Sequence, residues 1–349
     1  MWFTINLKGC HIMKRTKNII SRRIVALLCA IVTLTALLCS CNVGEIEELE
    51  IKVSVLNGTT GFGAAKLMSD ATSGQTELNY KFTVEKDPEP ITKGLINGSI
   101  DIAMLPTNAA ATLYNKTNGG IRIAAVNTLG VLYLVVNGEK VEISNIAELN
   151  GKTVYCPAQN PAFIFEAICR ASGLVPGESI TIDTSYAKPE ELRTAIVSGL
   201  VDIAVLPEPM VTIAKSANAS LTTALDLTEI WEAIYPGTIM QGCVVVRTEW
   251  AEAHPKELEE FLVEYQNSVV FTTTNPAEAS VMIAELGIFA QAKVAEKAIP
   301  SCNIEFIDGK EMSDGLAFFF EKLFAVNPAA VGGEIPDEAI YYVRQRQAK

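Results

Sequence analysis

Beyond residue 50 the chain alternates short apolar runs with longer stretches whose apolar positions recur every three or four residues. The runs at 51–56, 78–84, 100–105 and 121–127 predict four strands, and those at 153–155, 179–183, 201–206 and 219–225 predict four more. Between them Ile91, Leu95 and Ile96 share one helical face, and Leu192, Ile196 and Val197 share another. Further helices are predicted from about Phe62 and over 161–171. Strand and helix signals in alternation indicate parallel sheets with helices on their faces.

One phrase occurs twice: GSIDIAMLPTN at 98–108 and GLVDIAVLPEP at 199–209. In each copy a helix runs into a glycine, Gly98 or Gly199, suited to a left-handed C-terminal cap. A strand apolar on both faces follows, as in a sheet covered on both sides. Pro106 or Pro207 then ends it, because proline donates nothing to a ladder. A helix start comes next. Thr107 or Asn108 is placed to cap the first, and Pro209 fits the first turn of the second. Similar elements surround both copies, so the pattern implies two α/β lobes of similar build. The extended runs GVLYLVVN (130–137) and QGCVVVR (241–247) bracket the second unit and read as two crossovers. Residues 248–349 are mainly helical in pattern, notably 257–271, 276–286 and 315–324, and are assigned to the first lobe. The expected boundaries are 51–133 with 245–349 for lobe I and 134–244 for lobe II.

The first forty residues have another character. Lys14, Arg15, Lys17, Arg22 and Arg23 precede an uncharged run over 24–40. A basic start and a short apolar core form a secretory signal peptide, residues 1–40; the alternative is an uncleaved anchor helix. Met13 offers a more usual signal opening, MKRTKN, than Met1 does. Leu38-Cys39-Ser40-Cys41 resembles the lipobox of bacterial lipoproteins, which implies lipidation at Cys41. Residues 41–50, containing GEIEELE, read as an acidic tether.

Removing the signal sharpens the charge. Six of the 28 Lys and Arg residues lie in the first forty, leaving 22 against 40 acids, a net of −18. Such a body has no basic footprint for nucleic acid, and membrane contact is expected through the lipid alone. A composition 49% hydrophobic and 19% charged supports a sizeable core and argues against disorder. Cys156, Cys169, Cys243 and Cys302 lack C-x-x-C spacing and read as buried thiols, with one disulfide as the alternative. The mature part has a single histidine, His254, before Pro255 at a helix start. That excludes histidine-cluster zinc sites and suggests a capping role.

The ordered set VLNGTTGFG (55–63), GSIDIAMLP (98–106), IAELNGKTVYCPAQNPA (146–162), GLVDIAVLPEP (199–209) and VVVRTEWAEAHPKELEEFL (244–262) resembles the type II solute-binding proteins of ABC importers. The likeness covers about residues 50–345 and is nearest the nitrate, sulfonate, taurine and thiamine-pyrimidine branch. It implies an α/β, two-lobed fold, each lobe a mainly parallel sheet flanked by helices, with two crossovers. It also implies a monomer, without cofactor, that captures a small polar molecule outside the cell and delivers it to an ABC permease and its ATPase. In open α/β sheets ligands lie beyond the carboxyl ends of the strands. The ligand contacts expected from lobe I are therefore Asn57, Gly58, Thr59, Thr60, Gly61, Phe62, Thr107, Asn108 and Thr128. From lobe II they are Gln159, Asn160, Phe163 and Glu208, with Gln241 near the return crossover. Glycines and helix starts offer backbone N–H groups; Thr, Asn and Gln give directional bonds, and Phe62 or Phe163 covers an apolar portion. Glu208 in the cleft would favour an amine-bearing guest.

GTTGFGAAK (58–66) is not a nucleotide loop. Ala64 follows Gly63 where a P-loop needs Lys, and Lys66 stands where a dinucleotide fingerprint needs Gly or Ala. The competing class is an enzyme on the same bilobal scaffold, such as a chorismate dehydratase; those relatives resemble cytosolic proteins without a lipoprotein signal. A ligand-sensing lipoprotein is the third alternative.

Overall fold

The structure, a computed structural model, describes residues 49–344. The predicted signal peptide, Cys41 and the tether up to residue 48 lie outside the described residues.

Among the described residues, eleven strands form two sheets. They are β1 (Glu50–Leu56), β2 (Asn79–Glu85), β3 (Ile102–Pro106), β4 (Ile121–Leu129), β5 (Leu132–Asn137), β6 (Thr153–Tyr155), β7 (Thr181–Asp183), β8 (Ile203–Pro207), β9 (Leu221–Asp226), β10 (Met240–Arg247) and β11 (Ile304–Ile307). Lobe I has the order β11-β4-β10-β3-β1-β2, and lobe II has β7-β6-β8-β5-β9. Helices α1 (Thr59–Phe62), α2 (Ala65–Thr72), α3 (Pro88–Asn97) and α4 (Thr107–Thr117) belong to lobe I. Lobe II holds α5 (Asn160–Ala171), α6 (Pro189–Val197), α7 (Met210–Ala217) and α8 (Leu227–Ile234). The rest of lobe I is α9 (Thr248–Ala253), α10 (Pro255–Thr274), α11 (Pro276–Glu285), α12 (Ala292–Ala298) and α13 (Gly309–Val326).

The repeated phrase does what its residues dictate. Gly98 caps α3 at φ 77, and Gly199 follows α6 at φ 75, both in the left-handed region that glycine enters without Cβ strain. β3 and β8 are interior strands, buried until their terminal prolines.

Most strands of each sheet run one way, as expected, with β10 and β11 reversed in the first sheet and β5 reversed in the second, so both sheets are mixed. β10 runs antiparallel to β3 and β4, β11 antiparallel to β4, and β5 antiparallel to β8 and β9. For β5 and β10 the cause is the route of the chain. A strand arriving from the other lobe enters at the carboxyl edge, where the preceding strand has just ended, and must run back. Leu132 and Tyr133 pair within the second sheet, and Met240–Val244 lie within the first. The chain thus changes sheet at Gly130-Val131 and again between β9 and β10, whereas the sequence reading puts those changes after 133 and 244.

Apolar packing crosses between the lobes on both sides. One cluster joins Phe62, Phe261 and Tyr265 with Leu192, Ile196 and Met210. The other joins Leu105, Phe319 and Phe320 with Phe165, Ile168 and Trp231. Cys156, Cys169, Cys243 and Cys302 are buried and free. His254 does not cap α10 with its side chain; its ring lies 5.2 Å from that of Trp250.

The outgoing crossover is held by lobe I. Asn303 accepts from Leu129 N–H at 2.9 Å through its carbonyl, and its Nδ2 donates to Gly130 O at 2.5 Å. One residue on, Val131 N–H donates to Gln241 Oε1 at 3.2 Å, and the Tyr133 hydroxyl donates to Ser301 O at 2.9 Å. Tyr133→Phe keeps the ring and removes this bond between lobes. A loss of about 1 kcal/mol in unfolding free energy is expected, read by chemical denaturation.

Candidate functional site

The carboxyl edges of the two sheets meet where α4 and α5 begin. β3 passes without a loop into α4, whose N-cap is Pro106. β6 leads through 156–158 to Gln159, the N-cap of α5, at φ 64 and ψ −127. A residue with a Cβ is uncommon in that left-handed region, and such strain gathers at functional sites. Asn108, Ala109 and Thr112 of α4, with Gln159 and Phe163 of lobe II, line one crevice of about 450 Å³. Thr92 and Ile96 of α3, with Leu113, Lys116, Ala329 and Ala330, complete its wall. Asn108, Gln159 and Phe163 are thus brought together from a separation of about fifty residues, one from lobe I and two from lobe II.

The remaining expected residues lie elsewhere. Asn57 is exposed after β1, where its N–H donates to Glu85 O at 2.8 Å; Gly58 follows at φ 90. Thr59 and Thr60 are half-buried at the start of α1. Gly61 is buried: a Cβ there would lie 2.3 Å from Leu56 O and 2.7 Å from Val55 Cγ1. Phe62 faces the core, edge-on to Phe289 at 6.0 Å, and so does not reach a solute. Thr107 is buried and donates to Met240 O at 2.7 Å, so neither it nor Asn108 caps α4. Thr128 is buried and donates to Asn127 Oδ1 at 3.1 Å. Gln241 holds the crossover through Val131. Asn160 is buried, and its carboxamide has no hydrogen-bond partner among the described residues.

The sequence reading missed Asn127. Its Nδ2 donates to Thr60 O at 2.9 Å and to the Tyr265 hydroxyl oxygen at 3.0 Å, tying β4 to the turn after β1. The available signal was an amide inside an otherwise apolar strand, since a buried polar group must find partners. Thr92, Ala109 and Thr112 were also missed. Nothing in their local pattern separates a crevice wall from an ordinary helix surface.

Glu208 lies in a second crevice, about 410 Å³, between α7 and the segment that follows α12. Tyr133, Lys215, Thr223, Lys297 and Ser301 share it. Its carboxylate accepts from Thr212 N–H at 3.1 Å and from Thr212 Oγ1 at 3.0 Å, stapling the first turn of α7. Burial raises its pKa above the usual carboxylate value, against the opposing pull of Thr212 and Lys215. A carboxyl raised in the folded state binds its proton more tightly there than in the unfolded chain. Its ionisation therefore lowers stability as pH rises through the folded pKa, and the effect vanishes below the unfolded value of about 4.5. Glu208→Gln should melt higher than wild type at pH 7, with the difference shrinking toward pH 4.5; thermal melts across that range check it.

Among the described residues, no group of His, Cys, Asp or Glu is placed to hold a metal, and no helix is long and apolar enough to cross a membrane. Residues 65–297 match the family described as the phosphonate periplasmic substrate-binding protein of ABC transporters. The chain belongs to this family. Its members bind solutes outside the cytoplasm for a permease and ATPase, and they are not enzymes. The ABC substrate-binding fold also links it to solved structures. An ABC transporter protein from Parabacteroides distasonis is 26% identical with a TM-score of 0.72, covering 84% of this chain and 99% of that one. The aliphatic sulphonate binding protein SsuA from Escherichia coli is 15% identical with a TM-score of 0.66, covering 85% and 96%. A sulfonate-binding SsuA from Methylobacillus flagellatus is 15% identical with a TM-score of 0.64, covering 85% and 93%. The last two are likenesses of fold. No curated protein matches significantly.

Proposed function

We propose that this ABC substrate-binding protein grips one small polar solute between its lobes and is tethered to the membrane by a lipid on Cys41. The observation that carries the reading is the shared crevice of Asn108, Gln159 and Phe163, drawn from the carboxyl edges of both sheets. Asn108 and Gln159 supply directional bonds and Phe163 an apolar surface, the mix that small-molecule sites use. Asn57, Gly58, Thr59 and Thr60 follow β1 at the carboxyl edge of the lobe I sheet, outside the crevice lining, and join the grip as the lobes close. Hinge motion about Gly130-Val131 and the segment before β10 opens and closes the grip.

A thermal-shift panel of sulfonates, phosphonates, amines, amides and pyrimidines identifies the solute, because a ligand of the folded form raises the melting temperature. Asn108→Ala and Gln159→Ala should each weaken binding of the strongest hit about tenfold. Full affinity in both variants would move the site out of this crevice. Cys41→Ala should shift the protein from the membrane to the soluble fraction; retention on membranes would refute the lipid anchor.

A further inference from the structure

Two cations from different lobes line the crevice of Glu208. Lys215 stands on α7 of lobe II and Lys297 on the last turn of α12 of lobe I, and these two helices pack together. Neither lysine forms an ion pair among the described residues, although acids outnumber bases in the chain. Lys215 Nζ donates instead to Thr223 Oγ1 at 3.1 Å. Like charges gathered into one crevice repel unless an anion lies between them. Each ammonium rides on a flexible four-carbon stem and so can follow such an anion.

The floor adds a second requirement. Glu208 is 6% exposed and lines the crevice. Its two oxygens accept one bond each, both from Thr212. An ionised carboxylate has about four acceptor positions and no donor, so it has room for a further proton-bearing partner. A guest that fits must offer negative oxygens to the lysines and an O–H to Glu208. Tetrahedral oxyanions divide on this point. Phosphate keeps a proton at neutral pH, and sulfate keeps none. A sulfate oxygen turned toward Glu208 would meet it lone pair to lone pair.

We propose that the crevice of Glu208 is a second binding site, separate from the solute crevice, for a small tetrahedral oxyanion that still carries a proton, of the inorganic phosphate type. Lys215 and Lys297 hold its charged oxygens, Glu208 accepts its O–H, and the Thr223 and Ser301 hydroxyls lie beside it. The bound ion ties α12 of one lobe to α7 of the other. The site stands whether or not the solute lies against Asn108 and Gln159.

The test titrates the full chain with inorganic phosphate and with sulfate by calorimetry, at pH 8 and low ionic strength. Phosphate should bind at least tenfold more tightly than sulfate and raise the melting temperature. Lys297→Met should weaken phosphate at least tenfold. Glu208→Gln keeps the shape and gains a donor, so it should weaken phosphate, strengthen sulfate and reduce the preference at least tenfold. Ala109→Trp, which fills the other crevice, should leave phosphate affinity unchanged. Melts of the unliganded variants verify folding. The assignment is overturned if phosphate does not bind, or binds no better than sulfate. It is equally overturned if Lys297→Met keeps wild-type affinity, if Glu208→Gln keeps the preference, or if Ala109→Trp abolishes binding. That last result would put the ion in the solute crevice and leave the solute-binding reading standing.

Discussion

Gly61→Ala should melt roughly 6–12 °C below wild type, a loss of about 3 kcal/mol. The added Cβ would sit 2.3 Å from the carbonyl oxygen of Leu56 and 2.7 Å from Val55 Cγ1, with Ile288 Cγ2 at 3.0 Å. Two of these three atoms belong to β1, which pairs with β2 and β3 and cannot retreat without breaking a ladder. Gly58 is the internal control. Its φ of 90 disfavours a side chain, but no atom of the described residues lies within 4 Å of an added Cβ, so Gly58→Ala should cost only about 1–2 kcal/mol. Thermal unfolding of the two variants side by side decides the matter. Equal losses would mean that the turn after β1 is restricted by its backbone angles and not by packing.

Ala109→Trp is expected to lower solute affinity at least about a hundredfold, some 2.7 kcal/mol. Ala109 is half-buried on the first turn of α4 and lines the crevice. An indole there fills space without removing a hydrogen-bonding group or opening a cavity in the core, so the unliganded protein should melt close to wild type. Titration of the best solute from the thermal-shift panel supplies the measurement. Unimpaired binding would place the solute elsewhere, the crevice of Glu208 being the next candidate.

Much of this was legible in the chain. The repeated phrase carried its own physics: the glycines at 98 and 199, the apolar strands and the terminal prolines appear where local rules put them. Three kinds of feature were not legible. Strand direction at the crossovers depends on where the chain re-enters a sheet, and the apolar period of β5 or β10 is the same either way. Whether a residue at a carboxyl edge faces a solute or the protein depends on distant neighbours. Thr107 is spent on Met240, more than a hundred residues away, and Phe62 on Phe289. Finally, β11 is a short edge strand whose pairing with β4 is irregular, so no alternation announced it.

Closure of two lobes on one solute is the central claim, and solution scattering tests it most directly. With the best solute at saturation, the mature chain should contract toward the radius of gyration of a compact body of its length, about 19 Å. Without solute it should be measurably larger, and Ala109→Trp should stay large in both conditions. A wild-type profile that does not change on saturation, for a solute proven bound by calorimetry, would contradict the account.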